Sequence, residues 1–182
     1  MRRGDKMKKA GFFAAAAVIT VSLAVIIYGA GLIMRHNMEK NKFVSFETTV
    51  LRVIDGDTIV IKEGGKTVRL KGIDTPELHH PDTPVQAYAK EARDYLVSRV
   101  GNNKVITVEY HKEDTIDRYG RLLAYIYADG NMINAELVKK GYAYVYENTN
   151  CIRVKDLIVL EQIARKFRKG VWQFNQGGQV KQ

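Results

Sequence analysis

Val68-Arg69-Leu70-Lys71-Gly72-Ile73-Asp74-Thr75-Pro76-Glu77 begins as a strand, carries one guanidinium outward, and ends in a loop broken by proline. The loop presents two carboxylates, Asp74 and Glu77, three residues apart. A second acidic loop, Asp55-Gly56-Asp57-Thr58, lies just upstream. Oxygen ligands for a hard cation and an arginine for an anionic substrate therefore come close together in the chain, a pattern that suits cleavage of phosphodiesters.

Upstream of this stretch, Phe43 to Val53 alternates as a strand does, Phe46, Thr48, Val50 and Arg52 against Glu47, Thr49, Leu51 and Val53. Asp55-Gly56 reads as a turn, and Thr58 to Ile61 is β-branched throughout. Gly64-Gly65 closes a hairpin into a third strand, Thr67 to Ile73. Downstream, Leu78 to Pro84 is a loop, and the spacing of Tyr88, Ala92, Leu96 and Arg99 predicts a helix over Val85 to Val100. Lys104 to Tyr110 and Arg121 to Tyr127 read as two more strands, separated by a charged, flexible stretch from His111 to Gly120.

Asn131 to Lys140 is expected as a short helix ended by Gly141, Tyr142 to Tyr146 as a brief extended piece, and Val154 to Arg168 as a last helix with Val154, Leu157, Ile158 and Phe167 inward. Three strands, a helix, two strands and further helices give an α+β, mainly β protein. The arrangement predicts a five-stranded barrel of the oligonucleotide/oligosaccharide-binding type with three helices. A doubly wound α/β fold would need strands and helices to alternate.

The N-terminus is read apart from this domain. Ala10 to Met34 is an uncharged run of 25 residues, long enough for the span of about 20 that a membrane helix needs. Residues 1–9 hold five Lys or Arg and one Asp, which predicts that they stay in the cytoplasm while the rest crosses. The expected organisation is a basic cytoplasmic stretch over 1–9, a transmembrane signal anchor or cleaved signal peptide over 10–34, a linker over 35–45, a domain over 46–174, and a disordered Gly- and Gln-rich tail over 175–182. The domain would then lie outside the cell on its anchor, or be secreted if the segment is cut.

Of the formal net charge of +9, residues 1–42 contribute +6, eight Lys or Arg against two Asp or Glu, so only +3 belongs to the rest. Bulk charge therefore says little about a polyanion partner. A single cysteine, Cys151, excludes an intrachain disulfide and reads as a partly buried thiol.

Asp57, Asp74 and Glu77 sit at loops or strand ends beside Gly or Pro, where hard divalent cations find oxygen ligands. An EF-hand is excluded, because counting from Asp55 puts Val60 where glycine is needed and Lys66 where the bidentate Glu belongs. Asp55-Gly56 alone could be only a hairpin turn. Arg69 and Arg121, each able to grip phosphate through paired hydrogen bonds, could equally be surface arginines if the carboxylates were absent.

Val53-Ile54-Asp55-Gly56-Asp57-Thr58, the Arg69 to Glu77 stretch and Asp117-Arg118-Tyr119-Gly120-Arg121-Leu122-Leu123-Ala124-Tyr125-Ile126-Tyr127 together resemble the three signature segments of the staphylococcal nuclease family, from about Thr48 to Trp172. The resemblance implies a five-stranded barrel with three helices and calcium-dependent hydrolysis of DNA and RNA, single strands included, by a monomer holding one Ca2+. It implies that Asp57 and Asp74 ligate calcium by their side chains and Thr75 by its backbone carbonyl, with Asp55 standing behind them. Glu77 would be the general base, Arg69 and Arg121 would bind the phosphate, and Tyr119, Tyr144 and Tyr146 would line the nucleotide pocket. In-line attack by water would leave 3′-phosphate ends. Lys71-Gly72 departs from the aliphatic residues the family often has there, and the Gly141 to Tyr146 segment is short. A barrel that binds nucleic acid without cutting it is the alternative, although such a module would not need Asp57, Asp74, Glu77, Arg69 and Arg121 together.

Overall fold

The computed structural model describes residues 21–36, 42–78, 84–101, 103–146 and 151–173. The chain divides into two units, Met1–Lys42 and Phe43–Gln182. In the first, a helix over 21–36, α1, leaves Val21, Leu23, Ile26 and Ile33 exposed. Among the described residues no helix is long and apolar enough to cross a membrane. Residues 10–20 of the expected span lie outside the described residues, as do 79–83, with His79 and His80, and the tail from 174 onward.

The second unit is built on β1 (Phe43–Asp55), β2 (Thr58–Ile61), β3 (Thr67–Leu70), the short β4 (Ile73–Asp74), β5 (Val105–His111) and β6 (Leu122–Ala128). β7 (Asn131–Met132) and β8 (Tyr144–Val145) are two-residue strands. Its helices are α2 (Ala89–Val100), α3 (Ile133–Lys140) and α4 (Val154–Lys166). β1 pairs antiparallel with β2 and β5, β2 with β3, and β5 with β6. β3 then pairs parallel with β6, Val68 opposite Leu122 and Leu70 opposite Ala124, which closes a ring of five strands. A parallel closure needs a long crossover, and the segment carrying α2 and β5 supplies it.

The ring is filled by alternate side chains, among them Ile59, Ile61, Val68, Leu70, Ile106, Val108, Ala124 and Ile126, all buried. Leu96 and Val100 of α2, Leu137 of α3 and Leu157 of α4 join the same cluster. Burying each large aliphatic side chain contributes about 1.5–3 kcal/mol, so the helices are held chiefly by these faces.

Several element boundaries differ from those expected. α2 begins at Ala89 rather than Val85, because Tyr88 adopts a left-handed backbone with φ 69° and the preceding residues cannot wind into the helix. The expected strand Thr67 to Ile73 is two strands, β3 and β4, split by a turn in which Gly72 has φ 80°. A Cβ there would lie 2.6 Å from Cys151 Sγ, so conformation and close packing both require glycine. Asn131 and Met132 form β7 before α3 begins. Phe167 was expected inward; α4 ends at Lys166, and Phe167 is exposed while Leu157, Glu161 and Ala164 form the buried row. Arg168, with φ 49°, turns the chain away there.

Candidate active site

Three connections of the barrel meet at one cavity of about 650 Å³, walled by residues of the β1–β2 turn, of β3 through Glu77, and of the loop before β6. Pairing decides why they meet. Thr58 of β2 lies opposite Arg69 of β3, and the Leu70 amide donates to the Asp57 carbonyl at 2.8 Å, so the turn holding Asp55 and Asp57 stands beside Arg69. The parallel pairing of Arg69 with Leu123 brings the end of the loop carrying Arg121 to the same edge.

The β1–β2 turn is tight because something packs on it. A Cβ at Gly56 would lie 2.7 Å from the Ala92 Cβ and 2.8 Å from Thr75 Oγ1. Glycine between the two aspartates is thus required by the approach of α2 and of the Thr75 loop, in addition to any turn preference. Asp55 lines the cavity and accepts the Gly56 amide at 3.2 Å.

Asp57 is buried, and its Oδ2 accepts the Thr75 amide and hydroxyl, both at 2.9 Å, while Oδ1 accepts the Thr58 hydroxyl at 2.9 Å. Arg69 spans two carboxylates. Its Nη2 donates to Asp74 Oδ1 at 2.6 Å, and its Nη1 lies 2.6 Å from Asp57 Oδ2, off the line of its N–H bonds. Burial pushes the Asp74 carboxyl above the usual carboxylate range, and the charges of Asp57 and Glu77 push it further, against the pull of Arg69. Glu77 is half-buried at the cavity wall, its backbone fixed where its amide donates to Gln86 Oε1 and its carbonyl accepts the Gln86 amide, both at 3.1 Å.

The opposite wall is cationic. The stretch from His111 to Gly120, expected to be flexible, is tied by its own acid: Asp117 Oδ1 accepts the amides of Tyr119 and Arg121 at 2.9 Å, and Oδ2 accepts Arg121 Nε at 2.7 Å. Burial alone would raise the Asp117 carboxyl, but these hydrogen bonds and the Arg121 charge outweigh it and bring it below the ordinary value. Arg121, held at its Nε by Asp117, lines the cavity. Tyr119 is 67 % exposed, its ring contacted by the Arg118 and Arg121 guanidinium carbons at 4.8 and 5.2 Å from the centroid. A largely exposed ring with two guanidinium groups over it combines the aromatic and cationic surfaces that single-stranded nucleic acids meet.

Of the expected nucleotide contacts, Tyr146 lines the cavity, its amide donating to the Gly72 carbonyl at 3.1 Å. Tyr144 is not among the lining residues. Its backbone pairs with Asp74 and its ring packs edge-on against Trp172 at 5.2 Å. Sequence reasoning assigned no role to Lys71, Asp114 or Arg118. Lys71 and Arg118 line the cavity, and Lys71 forms an ion pair with Asp114, 43 residues later, that no local periodicity announces.

Among the described residues no group of three or more His, Cys, Asp or Glu could by itself hold a metal ion. Asp57 and Asp74 nevertheless offer hard oxygen donors, and Glu77 brings a third carboxylate to the same cavity. That donor chemistry fits a hard cation whose coordination is completed by backbone, water or substrate oxygens.

Residues 67–174 match the model of the staphylococcal nuclease homologue family. The chain is 41% identical over 126 residues to a thermonuclease of Staphylococcus hyicus, covering 68% of this chain and 73% of that one. It is 38% identical over 142 residues to the endonuclease YncB of Bacillus subtilis (strain 168), covering 75% and 65%, and 47% identical over 96 residues to a thermonuclease of Staphylococcus intermedius, covering 52% and 56%.

Proposed function

This chain belongs to the family of staphylococcal nuclease homologues and carries a domain that hydrolyses phosphodiester bonds, and from that premise we propose a calcium-dependent endonuclease acting on DNA and RNA, single strands included. The observation that carries the proposal is the convergence of Arg69, Asp57, Asp74, Glu77 and Arg121 on one cavity, from three separate connections of the barrel. A barrel that only bound nucleic acid would have no use for two like-charged carboxylates packed against the arginine that meets the phosphate.

Asp57 and Asp74 would hold the ion through their side chains, with Thr75 beside them. When bound, calcium supplies Lewis-acid polarisation of the phosphoryl oxygen and neutralises charge that develops on it. Arg69 and Arg121 approach the phosphate from the two walls and stabilise the same charge through directed N–H groups. Glu77 orients a water molecule and takes its proton as the oxygen attacks phosphorus. The P–O5′ bond breaks as the new P–O bond forms, and the departing 5′ oxygen takes a proton from solvent, leaving a 3′-phosphate and a 5′-hydroxyl. Tyr119 and Tyr146, which line the cavity, would meet bases beside the scissile bond.

The uncharged run Ala10–Met34 with basic residues before it supports an anchor that leaves this domain outside the cell. The chain is proposed to act as a monomer, since the catalytic set lies within one copy.

The test is direct. Purified chain with calcium should degrade denatured DNA and RNA and stop when a chelator is added, and Glu77→Gln should lower turnover by at least about 10², the scale of a positioned general base. Intact substrates at saturating calcium would sink the enzyme reading and leave the binding module.

A further inference from the structure

Lys71 is 2 % exposed and its Nζ lies 2.7 Å from Asp114 Oδ2, a residue 43 positions later. A buried ammonium is unfavourable unless it is paired, so the two side chains hold each other. Lys71 itself is fixed at its backbone: its amide donates to the Ala124 carbonyl at 2.8 Å and its carbonyl accepts Asn134 Nδ2 at 3.0 Å. Barrel strand β6 and helix α3 thus anchor the stem. Asp114 stands at the base of the loop that leads to Tyr119 and Arg121; its amide donates to the His111 carbonyl at 3.3 Å, and one residue on, the Thr115 carbonyl accepts the Leu123 amide at 2.7 Å.

Beyond this base, the bonds from Asp117 lie within the loop and shape it without attaching it to the acidic wall. We propose that Lys71 is a positioning residue, whose ammonium, through Asp114, holds the loop bearing Tyr119 and Arg121 in register with the Asp74–Glu77 segment. The proposal rests on the nuclease reading above. Replacing both members of a buried ion pair by well-packed groups of similar volume is often neutral for stability, so the pair is better explained by the register it imposes than by the stability it adds.

The register has a kinetic signature. A loop that must be ordered when substrate binds weakens binding while leaving the bound complex intact, which raises KM at unchanged kcat. In the full chain, the double variant Lys71→Met/Asp114→Asn removes one positive and one negative charge together, so the general attraction for a polyanion is preserved. We expect KM for single-stranded DNA to rise by about tenfold with kcat within about twofold, and the amides of Asp117, Gly120 and Leu123 to exchange with solvent faster in the absence of substrate. Asp114→Glu, which keeps the carboxylate, should restore KM towards the wild-type value.

A lower melting temperature with unchanged KM and unchanged exchange at those amides would show a merely structural pair and overturn the proposal. If the double variant fails to fold, Lys71→Met alone carries the amide-exchange readout, because the Asp114 carboxylate it leaves behind is partly exposed and can be solvated. If the wild-type chain cuts nothing, the nuclease reading fails separately, while amide exchange still decides whether the pair holds the loop.

Discussion

Both walls of the cavity carry an arginine bonded to carboxylate, yet the two are held in opposite ways. Arg69, 16 % exposed, lies between Asp57 and Asp74, which belong to different segments. Arg121, 30 % exposed, is held by Asp117, four residues earlier in its own loop. The first arrangement ties the β1–β2 turn to the strand end, so charge, fold and site are one structure there. On the other wall a self-contained loop presents its guanidinium, and the barrel only has to hold the loop. Stability and catalysis should therefore be inseparable at Arg69 and separable at Arg121.

The largest effect expected from this contrast is at Arg69. Arg69→Ala leaves the buried Asp57 carboxylate without its cation, and removing one member of a buried pair destabilises by about 3–5 kcal/mol. Urea unfolding without calcium should report a loss of that order, and calcium should recover part of it by supplying charge to the same two aspartates. A loss under about 1 kcal/mol, the range of an exposed ion pair, would mean that the two walls are alike after all.

Next comes Arg121→Lys. The charge survives, but the fork proposed to meet two phosphate oxygens does not, so kcat should fall by about 10², the scale of losing a positioned donor to developing charge. The unfolding free energy should stay within about 1 kcal/mol, because the pair with Asp117 is local and partly solvated. Unchanged turnover in Arg121→Lys would remove Arg121 from the chemistry and leave Arg69 as the phosphate ligand.

How much of this could be read from the chain depended on the distance over which each feature is encoded. The barrel strands were legible because alternation and the Asp55-Gly56, Gly64-Gly65 and Asp129-Gly130 turns are local signals. The convergence of Asp57, Arg69 and Asp74 followed from their nearness in sequence and from the family resemblance. Tyr88 and Gly72 altered the elements through backbone conformations with positive φ, which side-chain periodicity does not record. Lys71 and Asp114 looked like a polar intrusion and part of a charged run, since an ion pair 43 residues apart has no signature until the strands close. Asp117 stands inside a signature segment whose pattern does not reveal its task, which is to fold the loop on which Arg121 rides.

The smallest effect distinguishes the loop from the wall it faces. In Asp117→Asn one oxygen can still accept a backbone amide, but the charge that strengthens the bonds from Tyr119, Arg121 and the guanidinium is gone. The Asp117 carboxyl sits below its ordinary value in the folded chain, so its contribution is present above the unfolded carboxylate range near 3.8 and is lost as pH falls through the lowered folded value. The variant should thus be less stable by about 1 kcal/mol at neutral pH, and the gap should close as the solution is acidified below the carboxylate range. Urea unfolding of both proteins at neutral and acid pH measures it. A gap that persists unchanged into acid would mean that Asp117 acts through shape alone, and the loop would then be held by its base at Asp114 rather than by its own charge.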